Sequence, residues 1–141
     1  MTISEEVKVD KAHVEKRVKD WKKRISYLYA AVKDWTRHTE YSLKTGGKLT
    51  IYEELMAQFN VHPAQVDTAD IYKEERIILT IKPKGLWIIG ANGIIDILSA
   101  KGSYIIVDIA EQFKTPKWKL FNGDKRNGVD LTKQSFLNLL K

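Results

Sequence analysis

Apolar residues in the first third of the chain recur at helical spacing. Val7, Val14, Val18, Trp21, Ile25, Leu28, Val32 and Trp35 fall on alternating steps of three and four, after one step of seven across Lys11. No proline or glycine interrupts the run from Glu5 to about His38. The spacing predicts one long amphipathic helix with a single apolar stripe. Glu5 and Glu6 near its start, and Lys33, Arg37 and His38 near its end, complement the helix dipole. The stripe also fits heptads, with Val18, Ile25 and Val32 at a and Val14, Trp21, Leu28 and Trp35 at d. In a parallel pair Arg17 would then face Lys22 of the partner, and two Trp residues would crowd a two-stranded seam. The helix is therefore expected to lie on its own sheet.

Gly46-Gly47 is read as a break. A second helix is expected from about Ile51 to Asn60, where Thr50 and Glu53 have capping-box spacing. Tyr52, Leu55, Met56 and Phe59 would form its apolar face, and Pro63 follows its end. From about Asp70 the pattern changes to short isoleucine-rich segments: ERIILTIKP, GLWIIGAN, GIIDILSA, SYIIVDIA and, after Pro116, KWKLFN. The connectors Pro83-Lys84-Gly85, Asn92-Gly93 and Lys101-Gly102 suit turns, and Asn-Gly is the strongest short hairpin signal.

A two-residue Asn92-Gly93 turn would set Trp87 opposite Leu98 and Ile89 opposite Asp96. A two-residue Lys101-Gly102 turn would set Leu98 opposite Ile105 and Asp96 opposite Val107. One face would then hold Trp87, Ile89, Leu98, Ile105, Val107 and Ile109. The other would hold Leu86, Ile88, Ile95, Ile97, Tyr104 and Ile106. Both faces are apolar, so both require cover. A closing helix, about Leu131 to Lys141, carries Phe136, Leu137 and Leu140. The expected fold class is α+β: a long N-terminal helix and a short second helix, an antiparallel meander of about five or six strands, and a short C-terminal helix. All of 1–141 is read as a single domain, with a helical part at about 5–60, the sheet at about 70–122 and the last helix at about 130–141.

The 141 residues are 43% hydrophobic, enough for a core and against wholesale disorder. Lys and Arg number 24 against 18 Asp and Glu, a formal +6 that permits an anionic partner without requiring one. With no cysteine, disulfides, thiolate zinc sites and Cys nucleophiles are excluded. The mixed-charge start is unlike a secretory signal, and 86–98 is too short and too polar to span a bilayer. A cytoplasmic location is the expectation.

Candidate chemistry is sparse. Ile89-Gly90-Ala91-Asn92-Gly93 resembles the GxxG loop of KH domains, which joins two helices and clamps a nucleic-acid backbone. Here Ile94-Ile95-Asp96-Ile97-Leu98 follows, β-branched and without a basic residue, so the segment is read as a β-hairpin tip. No helix follows the glycines, against a dinucleotide fingerprint, and no Gly-Lys-Ser/Thr is present for a Walker A loop. His13, His38 and His62 lack His, Asp or Glu at the i+3 or i+4 spacing of a zinc site. Glu53-Glu54 and Glu74-Glu75 are adjacent pairs, which do not converge as a catalytic dyad would. No serine-nucleophile motif occurs. No metal, cofactor or catalytic constellation is expected.

Two features invite a role. Asp96 and Asp108 are lone carboxylates among isoleucines, each of which must be paired, solvated or functional. They are candidate buried polar groups, on opposite faces if the turns have two residues. The segment KTPKWKLFNGDKR, 114–126, interleaves Lys114, Lys117, Lys119, Lys125 and Arg126 with Trp118 and Phe121, a pattern that suits single-stranded nucleic acid. In a strand, Trp118 and Leu120 would face one way and Lys117, Lys119 and Phe121 the other, as on a lysine-protected edge.

PKGLWIIGANGIIDIL followed by KGSYIIVDIAEQF resembles a block in small bacterial proteins of unknown function with a helical start. The resemblance implies a compact domain and nothing about chemistry. The expected function is a small non-catalytic binding or assembly module, homo-oligomeric. The alternative is a nucleic-acid or nucleotide-binding protein using 114–126 and the basic flank of the first helix.

Overall fold

The computed structural model describes residues 9–87, 91–122 and 128–141. The expected start of the first helix at Glu5, together with Ile88, Ile89, Gly90, Lys125 and Arg126, lies outside them. Helix α1 spans Lys11–Thr36. Asp10 caps it, its carboxylate accepting from the His13 amide at 2.9 Å. The stripe faces inward: Val14, Val18, Trp21, Ile25, Leu28 and Val32 are buried in the core, and Trp35 packs on Phe136.

The remaining elements are β1 (Tyr41–Ile51), α2 (Glu54–Gln58), β2 (Ala64–Lys73), β3 (Arg76–Gly85), β4 (Ile94–Ser99), β5 (Gly102–Asp108), β6 (Trp118–Asn122), β7 (Val129–Asp130) and α3 (Lys133–Leu139). The seven strands form one antiparallel sheet in chain order, each paired with the next. The fold is α+β, with more strands than the five or six expected. Thr132 caps α3 through a reciprocal bond with Ser135.

Several expectations are corrected. The chain does not break at Gly46-Gly47, and 5–60 is not wholly helical. Strand β1 runs through the glycines as a bulge between Thr45 and Lys48, and Gly47 lies so close to the Thr68 hydroxyl that a Cβ there would collide with it. The second helix is shorter, because Ile51 pairs with Ala64. Its N-cap is Glu53, whose side chain makes no capping bond. That carboxylate accepts instead from the backbone amides of Leu86 at 2.9 Å and Trp87 at 3.3 Å.

Asn92-Gly93 is not a two-residue turn, so Trp87 does not oppose Leu98. Strand β3 pairs with β4 through Ile81↔Ile97, Pro83↔Ile95 and Gly85↔Ile94. Asn92 and Gly93 instead extend the β4–β5 ladder: the Asn92 amide donates to the Asp108 carbonyl at 2.8 Å, and the Asp108 amide to that of Gly93 at 3.2 Å. Gly93 has φ +140° and lies against Trp21, where a Cβ would overlap the indole ring.

The next turn is one residue early. Ser99 pairs with Gly102, leaving Ala100-Lys101 at the tip, so Leu98 meets Ser103 and Asp96 meets Ile105. The slip in pairing is two residues. Side chains alternate with period two, so the division into faces survives along β4 and β5, but Trp87, expected on the face of Leu98, packs instead against the core beside Arg17 of α1. Ile95, Ile97 and Ile106 are fully buried beside Ile81 and Leu120 on the inner face, under α1. On the outer face Leu98 is 41% exposed, and Ile94, Ile105, Val107 and Phe121 are half-buried.

Candidate functional site

The two lone carboxylates have different surroundings. Asp108 ends β5 on the inner face and is fully buried. One carboxylate oxygen accepts from Arg24 Nη1 at 2.6 Å. The other accepts from the backbone amides of Lys117 at 2.9 Å and Ala110 at 3.1 Å. Arg24 also donates through Nε to Asp20 at 2.6 Å and through Nη2 to the Lys114 carbonyl. Burial pulls the Arg24 guanidinium down, but the hydrogen bonds and charges of Asp20 and Asp108 hold it above its ordinary value. The Asn92 side-chain amide donates to the Ala110 carbonyl. This network fastens the 109–117 loop to α1 and closes the end of the sheet. Each guanidinium nitrogen and each carboxylate oxygen of the pair has a partner within the protein, which fits a structural clasp better than a reactive group.

Asp96 lies on the outer face, half-buried, between Lys82 of β3 and Ile105 of β5. The two carboxylates are thus on opposite faces.

The basic and aromatic residues at 114–122 are divided. Trp118 turns inward and packs on Trp21, ring centroids 6.4 Å apart. Lys119 and Phe121 are on the outer face, where Lys119 pairs with Asp130 at 2.8 Å. That pairing holds the Asp130 carboxyl below its usual range. Lys114 and Lys117 are exposed on the loop that Arg24 fastens to α1. Phe113 on that loop sits under Lys16, 4.2 Å from ammonium to ring centre, with His13 edge-on at 5.9 Å.

Two surfaces follow. The outward side of α1 is strongly basic. Within Lys11–Thr36 eight basic side chains stand against three acidic ones, a formal +5 in a chain whose total is +6. Arg17 and Arg24 among them are buried. Burial and the like charge of Arg24 push Arg17 below its ordinary value, against the pull of Asp20 and Glu53. The outer face of β4–β6 is the opposite in character, largely apolar. Its charges include opposite neighbours, Lys82 beside Asp96 and Lys119 beside Asp130, with exposed Lys84 alternating with Lys82 and Lys117 close enough to Asp130 to lower its carboxyl.

Among the described residues no three His, Asp or Glu side chains come together as a metal site would require, and no helix is long and apolar enough to cross a membrane. His38 and His62 are exposed. Arg24, Asn92 and Glu53, which carry the internal polar connections, were not singled out in the sequence for those roles. Apart from Asp20, one turn before Arg24 on α1, their partners are remote in the chain, and local spacing holds no trace of those. Comparison with known proteins finds no matching family model, curated protein or solved structure.

Proposed function

We propose that the protein is a non-catalytic assembly module that pairs with a second copy of itself through the outer face of β4–β6. The observation that carries this reading is the one-sided covering of the sheet. Helix α1 lies on the inner face, while Ile94, Leu98, Ile105, Val107 and Phe121 lie together on the other. Contiguous apolar surface of this kind marks interaction sites on soluble proteins. The opposite-charge neighbours at its margins, Lys82 with Asp96 and Lys119 with Asp130, suit a like copy. In a chain of formal +6, the apolar residues between these pairs give two copies a place to meet where opposite charges can face one another.

The chain has no cysteine, so single cysteines report cleanly on proximity. Placed in turn at Leu98, Ile105 and Val107, they should yield a disulfide-linked dimer under mild oxidation of dilute protein. A cysteine at Tyr27, 53% exposed on α1, should not. Absence of linkage at all three sheet positions would argue against face-to-face pairing.

A second reading draws on the charge of α1. Lys16, Lys19, Lys22 and Lys23 are exposed on one side of the helix, and Lys114 and Lys117 lie on the loop bound to it. This suits a polyanion held by backbone phosphates. Single-stranded DNA would then bind at low salt and be released as salt rises, and Lys16→Glu with Lys23→Glu would weaken binding at every sequence. No binding at low salt would remove this reading.

A further inference from the structure

A groove of about 690 Å³ lies at the end of the sheet, between the C-terminal end of α3 and the β2–β3 and β4–β5 turns. Its size falls within the range of small-molecule sites. Four cationic side chains line it: Lys73, Arg76, Lys101 and Lys141. Among the described lining side chains Glu40 is acidic, and it already pairs with Lys73 at 3.6 Å. Arg76, Lys101 and Lys141 make no ion pair among the described residues. Glu74 and Glu75, at the tip of the β2–β3 turn, are not part of the lining.

Between these cations the walls are apolar, formed by Tyr41, Ile78 and Leu140. The Tyr41 hydroxyl donates to the Leu140 carbonyl at 3.2 Å, which fixes the end of α3 as one wall. Exposed cations around an apolar floor suit a ligand with both characters. A bare inorganic anion would leave the floor unused, and a neutral hydrocarbon would leave the cations unpaired.

We infer that this groove binds a small amphiphilic carboxylate, its head among Arg76, Lys101 and Lys141 and its apolar body against Tyr41, Ile78 and Leu140. The inference is independent of the pairing proposed above, which uses other residues.

The test is amide-resolved NMR of the full chain titrated with octanoate, octan-1-ol and inorganic phosphate. Octanoate should move the amides of Arg76, Ile78, Lys101 and Leu140 to a saturable end point. Octanol and phosphate should each require at least about tenfold more ligand, the factor carried by one charge-assisted contact. Arg76→Glu with Lys101→Glu should weaken octanoate by about tenfold or more, with the remaining spectrum unchanged. The milder Arg76→Gln with Lys101→Gln should weaken it in the same direction. Leu98→Glu, which disrupts the outer face, should leave octanoate binding intact. The inference is overturned by an octanoate titration without shifts, by shifts centred on Leu98, Ile105 and Val107, by octanol binding equally well, or by unchanged affinity in both double variants.

Discussion

Arg24 on α1 and Asp108 at the end of β5 stand 84 positions apart in the chain and meet at 2.6 Å with both side chains buried. The pair joins the helix layer to the sheet where the ladder ends. Asp108 uses its second oxygen to hold two backbone amides of the following loop. Losing the carboxylate takes one of two acidic partners from a buried guanidinium and leaves two part-buried amide donors without their acceptor. Asp108→Ala should therefore cost about 3 kcal/mol, the low end of the range for breaking a buried pair by removing one partner, because Asp20 still pairs with Arg24. Asp108→Asn, which keeps an acceptor oxygen, should cost less. Urea unfolding followed by tryptophan fluorescence measures both. A loss below 1 kcal/mol for the alanine variant would show that the clasp contributes little, about the level of an exposed pair.

Gly93 is held for two separate reasons, its φ of +140° and its contact with Trp21. Gly93→Val forces a β-branched residue into a disfavoured backbone region and drives its side chain into the indole. Each of these costs about 1–3 kcal/mol. Gly93→Ala should already be clearly destabilised, and Gly93→Val more so. Thermal melts of the two variants give the order, and a wild-type melt for either would contradict the packing described.

The Tyr29 hydroxyl donates to the Asp67 carbonyl at 2.6 Å. Burial first, and then the Asp67 charge, push this phenol well above its ordinary value of 10.0. The folded chain therefore retains a proton that the unfolded chain releases. Its contribution is fully present below about pH 10 and is lost as pH rises from there toward the folded value. Tyr29→Phe should be less stable at neutral pH, and its deficit should shrink above pH 10 as wild type loses this contribution. Denaturant melts across pH 8–11 test the sign, and a deficit that widens with pH would contradict it.

How far the fold was legible in the sequence differs by element. The stripe from Val14 to Val32 predicts α1 and its buried side, because its helical spacing is long and uninterrupted. The division of Ile95, Ile97 and Ile106 from Leu98, Ile105 and Val107 was also legible, and it survived a two-residue slip because both registers share one parity. Strand β1 was hidden. Its Lys44-Thr45-Gly46-Gly47-Lys48 stretch is exposed at a sheet edge and bulged, so it carries neither alternation nor an apolar run. Asn92-Gly93 misled because its local turn chemistry was real as a tendency. The need for glycine comes instead from a helix side chain far away in the chain. Asp108 stood out as a buried charge, but Arg24 reads in sequence as one more cation on a basic helix.

Pairing through the outer face of β4–β6 is the central claim, and sedimentation equilibrium of the wild type beside Leu98→Glu tests it most directly. Leu98 is exposed in the single chain, so the substitution leaves the fold of each copy intact, as matching circular dichroism would verify. The wild type should sediment at twice the monomer mass at micromolar concentration, and Leu98→Glu, with a like charge placed on both apposed faces, at the monomer mass. A wild type that remains monomeric at those concentrations, or a Leu98→Glu variant as dimeric as wild type, would contradict it.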